Sequence, residues 1–214
     1  MIKSEIRSLI KNELPKFDKT SKYHPRFIDA AIEKVINELY TEVFKENPLG
    51  LQRFTKPYGY DTALTVSTDA TIGLAYTTLP AKIVPFTDKA SGVRRVSTVI
   101  QGGLTFFPIA QNEMDYVLSG SNVDSVSTRI GYAVTQERVE YYNMNATVSG
   151  AGVRMDLIVP FSVYADTDNV LIPEITDRQG ETFVDKVLKM LGVIGPVDLA
   201  DDNADKEQPQ NNRQ

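Results

Sequence analysis

The sequence contains no cysteine and no tryptophan, and it has a single histidine, His24. The absence of cysteine excludes disulfides, thiolate metal sites and thiol nucleophiles. One histidine excludes metal sites built on two imidazoles and most pairings of a nucleophile with a histidine base. Because His24 stands directly before Pro25 at a predicted helix start, and no Ser or Cys motif accompanies it, a capping or surface role is the simpler interpretation.

Long apolar runs are also missing. No stretch reaches the roughly 18 apolar residues that a membrane-spanning helix needs. The first residues, from Met1 to Arg7, are charged and lack the apolar core of a signal peptide, so we expect the chain to fold in a cytosol without a membrane partner. The formal net charge of −5 argues against a general nucleic-acid binder, because phosphate neutralisation needs clustered Lys and Arg.

Motifs for catalysis and for cofactor binding are scarce as well. Gly102-Gly103 and residues 150–152 lack the lysine and the following helix of a phosphate-binding loop, and the first pair favours a hairpin turn. A glycosidase would need two carboxyl groups about 5 to 9.5 Å apart. The candidates are Glu113, Asp115, Glu137, Glu140 and Asp156. The 28 acidic residues make chance pairs inevitable, however, and no Trp is present to stack on a sugar. We therefore predict no catalytic residue, no cofactor, no metal ligand and no enzyme.

Two amphipathic helices are predicted at the start of the chain. The first carries apolar residues at helical spacing, namely Ile2, Ile6, Leu9 and Ile10, and Pro15 is expected to close it. The second begins at Pro25 and is the strongest element of the sequence. Its apolar stripe consists of Ile28, Ala31, Ile32, Val35, Ile36, Leu39, Val43 and Phe44. Asn47-Pro48 is expected to end it, because the residue before proline disfavours helix.

The apolar period changes to two from about Asp61 onward. The alternation is cleanest at Val153, Met155 and Leu157, and several such segments are separated by turn residues. This pattern favours an antiparallel sandwich or barrel-like sheet. A last helix is expected from about Gly180 to Leu191, with Gly192 as its stop.

The sequence therefore predicts an α+β fold with four segments. They are an N-terminal helical region (1–50), a β-rich body (51–177), a short C-terminal helix (178–195) and an extended acidic and polar tail (196–214). The tail is too polar to bury enough apolar area to fold alone.

Two groups of charged residues are candidate contacts with other chains. Arg94 and Arg95 are adjacent on a predicted strand, so their side chains point to opposite faces and at most one faces solvent freely. Arginine suits interface carboxylates through its bidentate fork, although an edge strand protected by charge is the simpler interpretation. Asp198, Asp201 and Asp202 give the tail a negative run. Its complement is the basic N-terminal stretch, in the same chain or in another copy, and a solvated tail is the simpler alternative.

The order of these elements resembles that of head-to-tail connector proteins of tailed bacteriophages. Residues 3–7 (KSEIR), 29–35 (DAAIEKV) and 88–95 (DKASGVRR) look like ring or neck proteins of the short-tailed crAss-like phages. The resemblance covers residues 1–195. It implies a non-enzymatic virion protein, assembled in the bacterial cytoplasm into a homo-oligomeric, usually twelve-membered ring. Such a ring contacts the portal and other connector or tail proteins and surrounds the channel through which phage DNA leaves.

An alternative hypothesis is a carbohydrate- or receptor-binding β-module of a phage tail or of a bacterial surface protein. It would account for the strands and for the many tyrosines. It would leave the N-terminal helices without a role, and for that reason the connector hypothesis is preferred.

Overall fold

The computed structural model describes residues 1–17, 23–99, 104–110, 113, 129–135, 137–173 and 182–193. Within these ranges the chain has an α+β fold, as the sequence predicts. The turn predicted at Gly102-Gly103 lies outside the described residues. So does the tail 196–214, with Asp198, Asp201 and Asp202.

The two N-terminal helices are α1 (Lys3–Phe17) and α2 (Pro25–Glu46). His24 caps α2, because its Nδ1 accepts a hydrogen bond of 3.2 Å from the backbone N–H of Arg26, and Pro25 supplies the preset φ of a first helical residue. Asn47 ends α2, and its side chain accepts from the N–H of Leu49 to begin the 3₁₀ helix Pro48–Phe54. The long amphipathic helix and its cap are thus confirmed.

The expectation that Pro15 closes the first helix is wrong. Helix α1 continues to Phe17 with Pro15 inside its last turn. A proline there removes one hydrogen bond to the residue four positions earlier, a loss that tertiary packing can offset. Three buried side chains, Ile6, Ile10 and Leu14, anchor the helix up to that proline.

The described strands form two separate sheets, and neither closes into a barrel. The first has the antiparallel order β1 (Lys56–Tyr58), β8 (Val153–Leu157) and β4 (Val93–Thr98). The second has the order β2 (Ser67–Thr68), β3 (Ala75–Thr78), β7 (Arg138–Tyr142), β6 (Gly131–Val134) and β5 (Phe107–Pro108). Only β5 and β6 are parallel among these pairs, so the second sheet is mixed.

Two short helices complete the described fold. Helix α3 (Ala146–Ala151) lies between β7 and β8 and was not predicted. It is capped by Asn145, whose side chain accepts from the N–H of Val148 at 2.9 Å. Helix α4 (Phe183–Met190) is the predicted C-terminal helix, and it begins with a capping box between Thr182 and Asp185. It ends before Gly192, whose φ of 74° is the left-handed conformation that glycine favours.

One hydrophobic core joins the helices to both sheets. The buried stripe of α2 packs against α1, α4 and the strands, and it comprises Ile28, Ala31, Ile32, Val35, Ile36, Leu39 and Tyr40. Val93, Val96, Met155 and Tyr141 contribute from the strands, and Val187 and Leu188 from α4. Burial of this stripe holds α2 along the body of the molecule and leaves its other face and its two ends exposed.

Candidate interaction surfaces

Of the two adjacent arginines of β4, Arg94 is enclosed and Arg95 is exposed, so only one of them faces solvent, as predicted. The pairing register of β4 with β8 shifts between Val93 and Arg95. The Arg94 side chain is only 6% exposed, and its Nη1 pairs with Oδ2 of Asp88 at 2.6 Å. Its guanidinium also lies over the rings of Phe44 and Phe86, at 5.6 and 4.8 Å from their centroids. Arg94 therefore connects β4 to the end of α2 inside the chain.

Arg95 is the exposed member of the pair. Its strand partner on β8 is Asp156, whose carboxylate accepts a hydrogen bond of 2.9 Å from the hydroxyl of Tyr60. Burial and this hydrogen bond raise the pKa of Tyr60. The Tyr60 ring in turn carries the guanidinium of Arg154 at 5.2 Å. Arg95 has no ion-pair partner within the described residues, so it is the arginine of this strand that another chain can reach, and its interface role stays a prediction.

A first apolar groove lies between the start of α2 and the end of α4, and we call it the α2–α4 groove. Its volume is about 660 Å³, and it is lined by Tyr23, His24, Phe27, Ala30, Ala31, Lys34, Met190 and Leu191. The hydroxyl of Tyr23 donates to the carbonyl of Leu191 at 3.2 Å and so ties the two walls together. Phe27, at the edge of this groove, is 68% exposed, although exposing a phenyl ring to water is unfavourable.

A second groove lies at the opposite end of α2, and we call it the Leu49 groove. Its volume is about 860 Å³, and it is lined by Val43, Glu46, Asn47, Leu49, Gly50, Gln52, Arg53, Phe54, Leu171, Ile172 and Pro173. Leu49 is 72% exposed there, and Leu171 is 42% exposed. The buried hydroxyl of Tyr40 donates to the carbonyl of Leu171 at 3.1 Å, which fixes this wall to α2.

The two grooves are far apart because α2 is long. Its 22 residues span about 33 Å at the rise of an α-helix. One groove begins at the first turn of α2, and the other begins at its last turn and continues along the 3₁₀ helix. They differ in residues and in the elements that supply them. Sequence analysis missed both, since neither Phe27 nor Leu49 belongs to a periodic pattern.

A network of ion pairs fixes the segment 162–170 to the helices and to β1. Arg7 bridges Asp29, at 2.7 Å, and Asp166, while Lys56 pairs with Asp168 at 2.5 Å. The hydrogen bond from Lys56 and another from the backbone N–H of Ala165 lower the pKa of Asp168. These contacts hold the segment 162–170 against α1, α2 and β1.

Lys3 extends the same network into the interior. Its ammonium group is buried, donates to the carbonyl of Tyr164 at 2.6 Å and lies 5.0 Å from the ring centroid of Phe161. Burial lowers the pKa of Lys3. Because its contacts are carbonyls and a ring of its own chain, Lys3 is a structural residue.

The carboxylates considered for hydrolysis are held by cations and hydroxyl groups of the same chain. Glu140 pairs with Arg138 at 2.7 Å, Glu113 pairs with Lys89 at 2.6 Å, and Asp156 accepts from Tyr60. Glu137 is exposed, and Asp115 lies outside the described residues. Among the residues that the structure describes, no group of three His, Asp or Glu side chains could hold a metal ion.

The described helices include none that is long and apolar enough to cross a membrane. Their exposed apolar side chains are confined to single positions such as Phe27 and Leu49, at the edges of the grooves. Comparison with known proteins gives no further guide to the role of these surfaces, because no protein-family model, no curated protein and no solved structure matches the chain.

Proposed function

We propose that this chain is a non-enzymatic structural subunit of the head-to-tail connector of a tailed bacteriophage. Copies of it form an oligomeric ring that joins the portal to the tail and surrounds the DNA exit channel. The proposal combines the resemblance in element order and in residues 3–7, 29–35 and 88–95 with the surfaces described above. The ring-forming part of the proposal rests on that resemblance and on the surfaces together.

The observation that carries the proposal is the presence of two unlike grooves at opposite ends of α2, one mainly apolar and the other of mixed polarity. In a ring of identical subunits, each copy contacts one neighbour through one surface and the next neighbour through a different surface. Phe27 and Leu49 mark two such surfaces on separate elements of the fold. A two-fold dimer would need only one self-complementary patch, so a pair of different patches favours a ring.

The net charge of −5 is compatible with a position around DNA. A duplex that passes an acidic wall is repelled and does not adhere to it. Arg95, exposed and without an ion-pair partner among the described residues, is available for a carboxylate of a neighbouring protein.

Native mass spectrometry and electron microscopy of the purified chain, alone and mixed with the portal, test this function. Ring-sized species, or rings that form on the portal, are expected. A chain that stays monomeric at every concentration and never joins the portal or a phage particle contradicts the proposal. Saturable binding on a glycan array would instead favour the carbohydrate-binding alternative.

Two single variants test whether the ring uses both surfaces. Phe27→Ser and Leu49→Ser should each stay folded and fail to form rings. An equimolar mixture should form dimers, because each variant retains the surface that the other lacks, and these dimers should not grow. Ile72→Ser is the matched control, since Ile72 is 56% exposed on a turn outside both grooves and its loss should leave rings intact. Normal rings from either variant would contradict the assignment of that surface.

A further inference from the structure

The sheet of β1, β8 and β4 has one face in the core and one outer face. Val96, Val153 and Met155 belong to the core face and are at most 1% exposed. Successive residues of a strand point to opposite sides, so the residues between these three lie on the outer face. That face carries two arginines, Arg95 on β4 and Arg154 on β8, and neither makes an ion pair with another described residue.

The pairing of β4 with β8 makes the two arginines diagonal neighbours. Arg95 stands opposite Asp156, and Arg154 stands opposite Ser97. Diagonal neighbours on one face of an antiparallel strand pair are roughly 7 Å apart, a distance that long side chains can bridge. The guanidinium groups of Arg95 and Arg154 are therefore within reach of one and the same ligand group.

The guanidinium of Arg154 is held in place by its own chain. Its Nε donates to the hydroxyl of Ser97 at 3.0 Å, and its central carbon lies 5.2 Å from the ring centroid of Tyr60. The hydroxyl of Tyr60 donates to Asp156 at 2.9 Å and so fixes the ring. These contacts use Nε and one face of the guanidinium. Nη1 and Nη2 of Arg154 have no partner among the described residues, and together they form the two-pronged edge that binds a carboxylate through parallel hydrogen bonds.

Two positive charges and one negative charge meet in this cluster, which we call the Tyr60 site and which consists of Tyr60, Arg95, Arg154 and Asp156. Burial raises the pKa of the Tyr60 hydroxyl, Asp156 adds to that rise, and the charges of Arg95 and Arg154 oppose it. Both guanidinium groups therefore act on the same hydroxyl, and Asp156 balances only one of them. One positive charge is left for an incoming anion.

We propose that the Tyr60 site binds a carboxylate in an acidic segment of another protein. Nη1 and Nη2 of Arg154 donate to the two carboxylate oxygens, and Arg95 adds the second positive charge from the neighbouring strand. Tyr60 supplies the ring on which the guanidinium of Arg154 rests. A protein carboxylate fits this site better than a nucleic-acid strand does. A strand would bring a row of phosphates next to Asp156 and to a chain of net charge −5, whereas a carboxylate matches the one unbalanced positive charge.

This inference goes beyond the proposed function, because it assigns a third surface to the chain. None of the four residues of the Tyr60 site lines the α2–α4 groove or the Leu49 groove. Binding at the Tyr60 site needs no ring, so a failure of this inference and a failure of the connector function are separate results.

Fluorescence anisotropy of a labelled polyglutamate peptide on the full-length chain tests the site. Saturable binding at low salt, which weakens as salt is added, is expected. Arg95→Gln and Arg154→Gln should each weaken binding by about tenfold, since a hydrogen-bonded charge contact is lost. Arg53→Gln removes the same charge from an exposed position outside the site and should leave binding as it is. Equal affinities of the parent and the first two variants overturn the proposal, and so does a peptide that never binds.

Arg154→Lys separates the shape of the guanidinium from its charge. Lysine keeps the positive charge but offers no planar pair of N–H groups, so the peptide should bind several-fold more weakly than to the parent. Parent-like binding by this variant would overturn the bidentate role of Arg154. Arg95→Gln keeps the proposal testable if substitutions at Arg154 impair folding, because Arg95 is exposed and its variant should melt like the parent.

Duplex DNA with the same label tests the other class of partner. It should bind more weakly than the peptide at the same salt concentration, and Arg95→Gln should change that binding little. Tight binding of DNA that Arg95→Gln and Arg154→Gln both abolish would place a nucleic acid at the Tyr60 site and overturn the proposal.

Discussion

Helix α2 presents two apolar surfaces that differ in what covers them. Its buried stripe, represented by Val35 and Leu39, is 1–2% exposed and belongs to the core. By contrast, Phe27 in its first turn and Leu49 in the 3₁₀ helix just beyond its other end are about 70% exposed. The stripe follows the helical period and is explained by the folding of a single chain. The exposed pair lies outside that period, and the proposed function assigns it to contacts with other chains. Substitutions at these positions can test whether the buried stripe serves stability and the exposed pair serves assembly.

The largest effect is expected from a charge in the stripe. Val35→Asp places a carboxylate where the native side chain is 1% exposed, and it should destabilise the fold by more than about 4 kcal/mol. Urea unfolding followed by circular dichroism measures this loss. Thr41→Asp, on the exposed face of the same helix, should change the free energy of unfolding by less than about 0.5 kcal/mol. Equal stabilities of the two variants would mean that the buried face is wrongly assigned.

The two adjacent arginines of β4 should also differ, with Arg94 important for stability and Arg95 not. Arg94→Ala leaves Asp88 without its cation and opens space between Phe44 and Phe86, so it should cost about 2 kcal/mol of folding free energy. Arg95→Ala should cost less than about 0.5 kcal/mol, because its side chain is exposed. Thermal unfolding of the two variants measures the difference. Comparable melting temperatures would contradict the inward position of Arg94.

Acidic pH should weaken the attachment of the segment 162–170 to β1 through the Lys56–Asp168 ion pair. The pKa of Asp168 is lowered by Lys56 and by the N–H of Ala165, so its ionised form stabilises the folded state. This contribution is complete above the ordinary aspartate pKa of about 4 and disappears as the pH falls through the lower pKa of the folded state. Asp168→Asn should therefore flatten the loss of stability between neutral and acidic pH, measured by urea unfolding. Asp61→Asn, an exposed control, should leave that profile as it is.

The smallest effect on stability is expected at the exposed ends. Phe27→Ser and Leu49→Ser should each change the free energy of unfolding by less than about 0.5 kcal/mol, because little of either side chain is buried. Both should nevertheless impair assembly in size-exclusion chromatography of the concentrated protein. A large loss of stability at either position would erase the distinction between the stripe and the ends of α2.

Sequence analysis predicted the elements whose signal is local. The stripe of α2, the cap at His24 and the stop at Gly192 follow from periodicity and from the chemistry of single residues. The expectation that at most one of Arg94 and Arg95 faces solvent was also confirmed. The strand β8 and the strand β4, which carries Arg94 and Arg95, were located for the same reason. The interface roles of Arg95 and of the tail stay predictions.

Other features depend on contacts between distant parts of the chain. Pro15 was expected to end α1, but the buried residues Ile6, Ile10 and Leu14 stabilise the helix around it. Helix α3 is too short for a periodic signal. Division of the strands into two sheets depends on which edges pair, and alternation along a strand carries no information about its partner.

The sequence by itself determined that the fold is α+β, that one long helix buries a continuous stripe, and that thiol chemistry is excluded. These properties depend on residue type and on spacing along the chain. Only the tertiary structure decided that Arg94 is enclosed by Phe44 and Phe86, and that two grooves form at opposite ends of α2. A groove needs walls from segments far apart in sequence, here α4 and the segment 171–173, and their approach to α2 is set by packing of the core.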